Sequence, residues 1–81
     1  MPMTPKVAAE KIREAAKAWE HPDYKLDAEM TALHKSDAAD LELIAALIEK
    51  EDLRRARIRA DSLDTIIREE IPNDVWKWLH E

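Results

Sequence analysis

Arg54, Arg55, Arg57 and Arg59 form the basic cluster of the chain, and Trp76 and Trp78 sit two residues apart near its end. Both are residue types that bind rather than react. On a helix, Arg54 and Arg57 point away from the neighbouring apolar stripe, while Arg55 and Arg59 lie toward one flank. Glu51, Asp52, Asp61 and Asp64 fall within a turn of several of these arginines, at the spacing where side chains on a helix pair. The cluster is therefore either a salt-bridged solvent face or a contact surface for an acidic protein segment or for phosphates. A helix turns Trp76 and Trp78 to different faces. Trp76 is expected to anchor the end of the chain in the core. Trp78 is then either left near the surface, where tryptophan is enriched at binding hot spots, or packed with Trp76 in the small core.

The groups that could do acid–base, nucleophilic or metal chemistry are not spaced for it. His21, His34 and His80 are far apart, with no His-Glu-x-x-His and no pair one helical turn apart. They read as surface residues. Cysteine is absent, which removes thiolate chemistry and disulfides together. Glycine is absent too, so there is no flexible loop to cradle a phosphate. Carboxylates are abundant, but a catalytic carboxyl needs a perturbed environment that abundance does not supply. The expectation is a non-enzymatic protein without metal or cofactor.

Charge and length narrow the binding classes. The 81 residues carry 18 acidic and 13 basic side chains, a net charge of -5. Affinity for nucleic-acid phosphates grows with the cations presented, so the acidic chain reads as a poor stand-alone DNA binder, although a local basic patch remains open. No apolar run approaches the ~20 residues that span a bilayer. Met1-Pro2-Met3-Thr4-Pro5 lacks the apolar core of a signal peptide. A cytoplasmic location without membrane association is expected. A chain of this length reads as one domain, residues 1–81, with a small core that buries roughly 60% of the unfolded surface.

The elements that position these residues read as all-α, because tight sheet turns usually need glycine. A first helix starts after Thr4, with Pro5 at its first position, where a missing N–H is harmless. Ala8, Ile12, Ala15 and Trp19 mark its inner face, and His21-Pro22 ends it. A second, shorter helix is expected over 23–34, capped by Asp23 or Asp27, with Leu26, Met30 and Leu33 on one face. Ser36 then reads as the N-cap of a third helix, with Asp37 and Asp40 in its first turn.

From Asp37 to Glu70 neither glycine nor proline interrupts the chain. Leu41, Ile44 and Ile48 form one stripe. Leu53, Ala56, Ala60, Leu63 and Ile67 form another, rotated roughly 80° from the first. One long, bent helix over about 37–70 is the expectation. A pair broken near Glu51, with Asp52 as N-cap, is the alternative. Pro72 stops the run, and Asn73 or Asp74 can cap a short last helix that carries the tryptophans. The whole is a small bundle of about four helices.

Two stretches carry a family resemblance. Asp52-Leu53-Arg54-Arg55-Ala56-Arg57-Ile58 and Ile71-Pro72-Asn73-Asp74-Val75-Trp76-Lys77-Trp78-Leu79 resemble motifs of the Hha/YmoA family of nucleoid-associated modulators. Those motifs are an Asp-His-Arg-x-Ala-Glu-Leu stretch in a long third helix and a hydrophobic-Pro-x-x-Val-Trp tail. Asp40-Leu41-Glu42-Leu43-Ile44 resembles the acidic start of that helix. Leu53 stands where the family has His, and Arg57 where it has Glu. The likeness covers about the last half of the chain. It implies a four-helix, non-enzymatic co-modulator that binds the N-terminal dimerisation domain of an H-NS-like silencing protein and reaches DNA only through it. By motif position, Asp52 would pair with an arginine of that partner, with Arg54, Arg55 and Trp78 as neighbouring contacts and a nucleoid location following. The alternative is a self-associating helical adaptor or inhibitor, because alanine-rich helix faces permit close packing between copies.

Overall fold

Thr4 and Pro5 open the first helix as their types require. The computed structural model describes residues 2–81. In it, α1 spans Pro5–Glu20, α2 Ala28–Glu49, α3 Leu53–Asp61, α4 Thr65–Arg68 and α5 Asn73–Leu79. No strand occurs among the described residues. The Val7 N–H donates to Thr4 Oγ1 at 3.2 Å and Pro5 is the first helical residue. The helix stops one residue short of His21-Pro22, since a residue before proline avoids helical angles.

The second helix takes one of its two candidate caps and runs well past its expected end at His34. Asp27, not Asp23, caps it, accepting the Met30 N–H at 2.7 Å. Ser36 caps nothing: α2 runs straight through it for 22 residues. Mid-helix serine costs only a few tenths of a kcal/mol. Against that, His34, Ala38, Leu41, Ala45 and Ile48 make one unbroken buried row at 4-3-4-3 spacing, and continuous burial outweighs a weak local preference.

The expected long helix over 37–70 does not form. The chain breaks at Lys50-Glu51-Asp52, so the alternative reading describes the molecule. Glu51 takes a left-handed conformation with φ of +60°. The Asp52 N–H donates to Leu47 O and the Glu51 N–H to Ile48 O, both at 2.9 Å. This is a Schellman closure, built here without the glycine that usually serves it. Left-handed backbone costs a side-chain-bearing residue about 1–2 kcal/mol, so packing must hold the turn. It does, because the turn folds α3 back along α2. The Leu53–Ala60 stripe, which a continuous helix would rotate away, thereby reaches the same core. Ala56 and Ala60 become fully buried.

A second interruption follows at Ser62-Leu63-Asp64. Ser62 Oγ donates to Ile58 O at 2.9 Å. Short polar side chains at such positions compete with the helical ladder. Only the four-residue α4 forms beyond it. Pro72 precedes α5 as expected, but neither Asn73 nor Asp74 caps its start. Asn73 is already helical, and Asp74 accepts the adjacent Val75 N–H.

α1 packs along α2, α2 against α3, and α5 closes the ring against α1 and α3. At the centre lie Ile12, Leu41, Ile44, Ile48, Val75 and Leu79, all less than 2% exposed. Each such side chain contributes about 1.5–3 kcal/mol on burial. No described helix is long and apolar enough to cross a membrane.

Candidate protein-binding groove

Ion pairs fix how the helices sit. Arg13 of α1 bridges Glu42 and Glu49 of α2, and Lys11 of α1 bonds Asp74 of α5. The hydrogen bond from Arg13 holds the Glu49 carboxyl below its ordinary range, and the reciprocal bond raises the Arg13 guanidinium. The hydrogen bond from Lys11, joined by the Val75 N–H, lowers Asp74 in the same way. All of these groups face solvent, so they orient helices more than they stabilise them.

Two of the three histidines are built into helix ends, contrary to the expected surface placement. His34 is only 3% exposed. Its Nδ1 lies 2.6 Å from Trp19 O. A carbonyl can only accept, so Nδ1 carries the proton. Trp19 O belongs to the last turn of α1, where carbonyls have no helical partner, and His34 supplies one from α2. The two rings stack at 4.2 Å and 6°, while Trp19 Nε1 donates to Asp37 at 3.3 Å. His80 does similar work at the end of α5. Its Nδ1–H donates to Trp76 O at 2.9 Å, and its Nε2 lies 2.7 Å from Asp61 of α3.

The arginine cluster divides by role. Arg57 does not point away from the bundle as expected. It is half-buried, and its Nε donates to Leu79 O at 3.0 Å, capping α5. Arg54, Arg55 and Arg59 stay exposed. Asp52 is the N-cap of α3, accepting the Arg55 N–H at 3.3 Å, and its other oxygen lies 3.6 Å from Arg55 Nε. Its side chain keeps 38% exposure, so capping leaves part of the carboxylate open. Asp52 and Arg55 are therefore brought together. Arg54 projects nearby, and Trp78 lies half-buried on α5, packed against the core. The Asp52–Ile58 stretch begins a nine-residue helix rather than lying within a long one.

Along the seam where α3 and α4 run back beside α2 lies a groove. On α2 its lining is His34 and Leu43 together with a row of Met30, Leu33, Asp37, Asp40, Ile44 and Leu47. The row recurs at 3-4-3-4-3 spacing, which is one helical face. At one end Leu43, Leu47 and Ile58 lie between Arg55 and Arg59 around a depression of about 300 Å³. At the other, Tyr24, Met30, Leu33 and Ile66 surround one of about 310 Å³ beside Asp37 and Asp64. Asp40 and Arg59 line the stretch between. Among the described residues the exposed large hydrophobics are Tyr24, Met30, Leu33, Leu43, Ile58 and Ile66, and all six lie in these two end depressions. Scattered exposed apolar residues are ordinary, whereas their collection on one strip marks an interaction surface.

The sequence signal for this groove is the Leu26-Met30-Leu33 periodicity, which marks one helix face but not what covers it. Leu33 is in fact 56% exposed. Ile58 and Ile66 carried no signal, because only the fold places them beside α2. Among the described residues, no cluster of three or more His, Asp or Glu is placed to hold a metal ion. No family model matches the chain, nor does any curated protein or solved structure.

Proposed function

We propose that this chain is a non-enzymatic protein-binding module, a transcriptional co-modulator that docks on the N-terminal dimerisation domain of an H-NS-like silencing protein. The observation that carries the binding role is the gathering, on the α2/α3–α4 groove, of the six large hydrophobics exposed among the described residues. The partner's identity follows the motif resemblance, and the half-open Asp52 carboxylate next to Arg55 supports it. An incoming arginine meets Asp52 there while apolar side chains settle between Leu43 and Ile58. A charge pair at the rim of an apolar contact sets register and partner choice more than raw affinity. DNA is reached through the partner, since the chain's own net charge of -5 opposes phosphate binding.

Isothermal calorimetry of the full chain against H-NS-type N-terminal domains from the encoding organism tests this. Saturable binding is expected, and Asp52→Arg is expected to weaken it at least about tenfold, the scale of a rim charge pair turned repulsive. Circular dichroism should show the helices retained. Absence of binding to every such domain overturns the partner assignment. Binding unchanged by Asp52→Arg removes Asp52 from the contact.

A further inference from the structure

We infer that a second copy of this chain covers the same groove, laid antiparallel across it in a twofold dimer. This rests on the groove's own charge pattern and not on the H-NS-like assignment.

The groove is polarised. The depression around Leu33 and Ile66 is lined by the carboxylates of Asp37 and Asp64 and by no lysine or arginine. The depression around Leu43 and Ile58 is lined by Arg55 and Arg59; Asp52 sits 3.6 Å from Arg55 Nε at its edge, while Arg59 has no ion-pair partner among the described residues. A twofold axis through the middle of such a strip brings each acidic end onto the other copy's basic end, and each apolar cluster onto an apolar cluster. An isologous interface has this property: what residue i meets in the partner, the partner meets in return. Face-to-face parallel stacking would instead set acid against acid and arginine against arginine.

Asp64 has a partner to gain. It occupies the N-cap of α4 but makes no side-chain capping hydrogen bond, and no cation of the same chain pairs with it among the described residues. Asp37, by contrast, already accepts the Trp19 indole N–H. The strip is also long enough. Met30 and Leu47 are seventeen positions apart on α2, about 26 Å at 1.5 Å per residue. Two helices flank it, each about 10–12 Å across. Its footprint is on the order of 500 Å² before side-chain relief, approaching the ~800 Å² per partner of a standard interface. A dimer at the weak, reversible end of the range is expected, open to displacement by another protein at the same groove.

The test is a mixing experiment read by sedimentation velocity on the full chain. The native protein is expected to shift from monomer to dimer over micromolar to millimolar concentration. Asp64→Lys alone sets lysine against arginine at both ends of the dimer. Arg55→Glu with Arg59→Glu sets acid against acid. Each variant is expected to dimerise at least about a hundredfold more weakly, since like charges placed together cost severalfold more than one tenfold step. Mixed one to one, they are expected to form a heterodimer, because both ends then pair opposite charges. The altered positions are exposed, and circular dichroism of each variant confirms that it folds. Ile66→Asn serves as a second probe: it removes an apolar contact, adds no charge to either end, and should weaken association while leaving the charge pairs in place. A native chain that stays monomeric at millimolar concentration overturns the inference, as does a mixture that stays monomeric. Tighter dimerisation by Asp64→Lys alone would also overturn it, since that result needs acid to face acid. None of these outcomes depends on binding to an H-NS-like domain.

Discussion

Ile44→Ala is expected to cost about 2–5 kcal/mol, the range for truncating a buried isoleucine in a core that relaxes only partly. Ile44 is fully buried at the middle of α2, in the central Leu41–Ile44–Ile48 row. A domain of 81 residues has roughly 4–12 kcal/mol of total stability at about 0.05–0.15 kcal/mol per residue. One truncation therefore removes a large share of it. At roughly 4–8 °C per kcal/mol for a domain of this size, the melting temperature should fall by roughly 8–40 °C. Urea unfolding followed by circular dichroism measures the change. A loss below 1 kcal/mol would mean that the α1–α2–α3 core is looser than described.

His34→Ala is expected to cost roughly 2–4 kcal/mol, from a buried acceptor left without its donor and a lost ring stack. Among the described residues, no buried side-chain polar atom lacks a hydrogen-bond partner. Removing the imidazole strands Trp19 O at the end of α1 and takes away the ring that stacks on the Trp19 indole at 4.2 Å. A double-mutant cycle with Trp19→Ala separates this coupling from plain cavity formation. Strong coupling is the expected result, and additive losses would show that the stack and the cap matter little. His34 and Trp19 also line the acidic end of the groove, so the same variant should slacken that end of the binding surface.

These residues show where the sequence was legible. The Leu41–Ile44–Ile48 stripe could be read directly, because a 3.6-residue period needs no knowledge of neighbours. Thr4-Pro5 and Pro72 could be read because capping and proline geometry are local. The break at Lys50-Glu51-Asp52 was legible only as an alternative. Nothing in a Glu-Lys-Glu-Asp run forbids helix, and the left-handed Glu51 is held by contacts between α2 and α3. The two stripes rotated by roughly 80° were the real signal, since a straight helix could not have buried both. From the sequence His34 reads as a surface residue, because its partner is the last turn of another helix. The inward turn of Arg57 is hidden for the same reason, its acceptor being Leu79 O on α5.

The groove was the least legible feature. Its α2 side is written as a 3-4-3-4-3 row, but that row mixes Met30, Leu33 and Leu47 with Asp37 and Asp40 and so does not stand out as one face. Its other side comes from α3 and α4, whose placement depends on the Glu51 turn. The Asp52–Ile58 stretch drew attention for its arginines. In the folded chain it contributes Arg55, Ile58 and Arg59 to one end of a surface whose other end lies around Leu33 and Ile66.

The central claim is that this groove is where the chain meets other proteins. An amide chemical-shift map of the isotope-labelled full chain tests it most directly, recorded over rising concentration and again with an H-NS-type N-terminal domain. Perturbations are expected along the Met30–Leu47 face of α2 and from Arg55 to Ile66, with the outer face of α1 around Lys6 and Lys17 unmoved. Perturbations centred on that outer face of α1, or none in either series, would contradict the account.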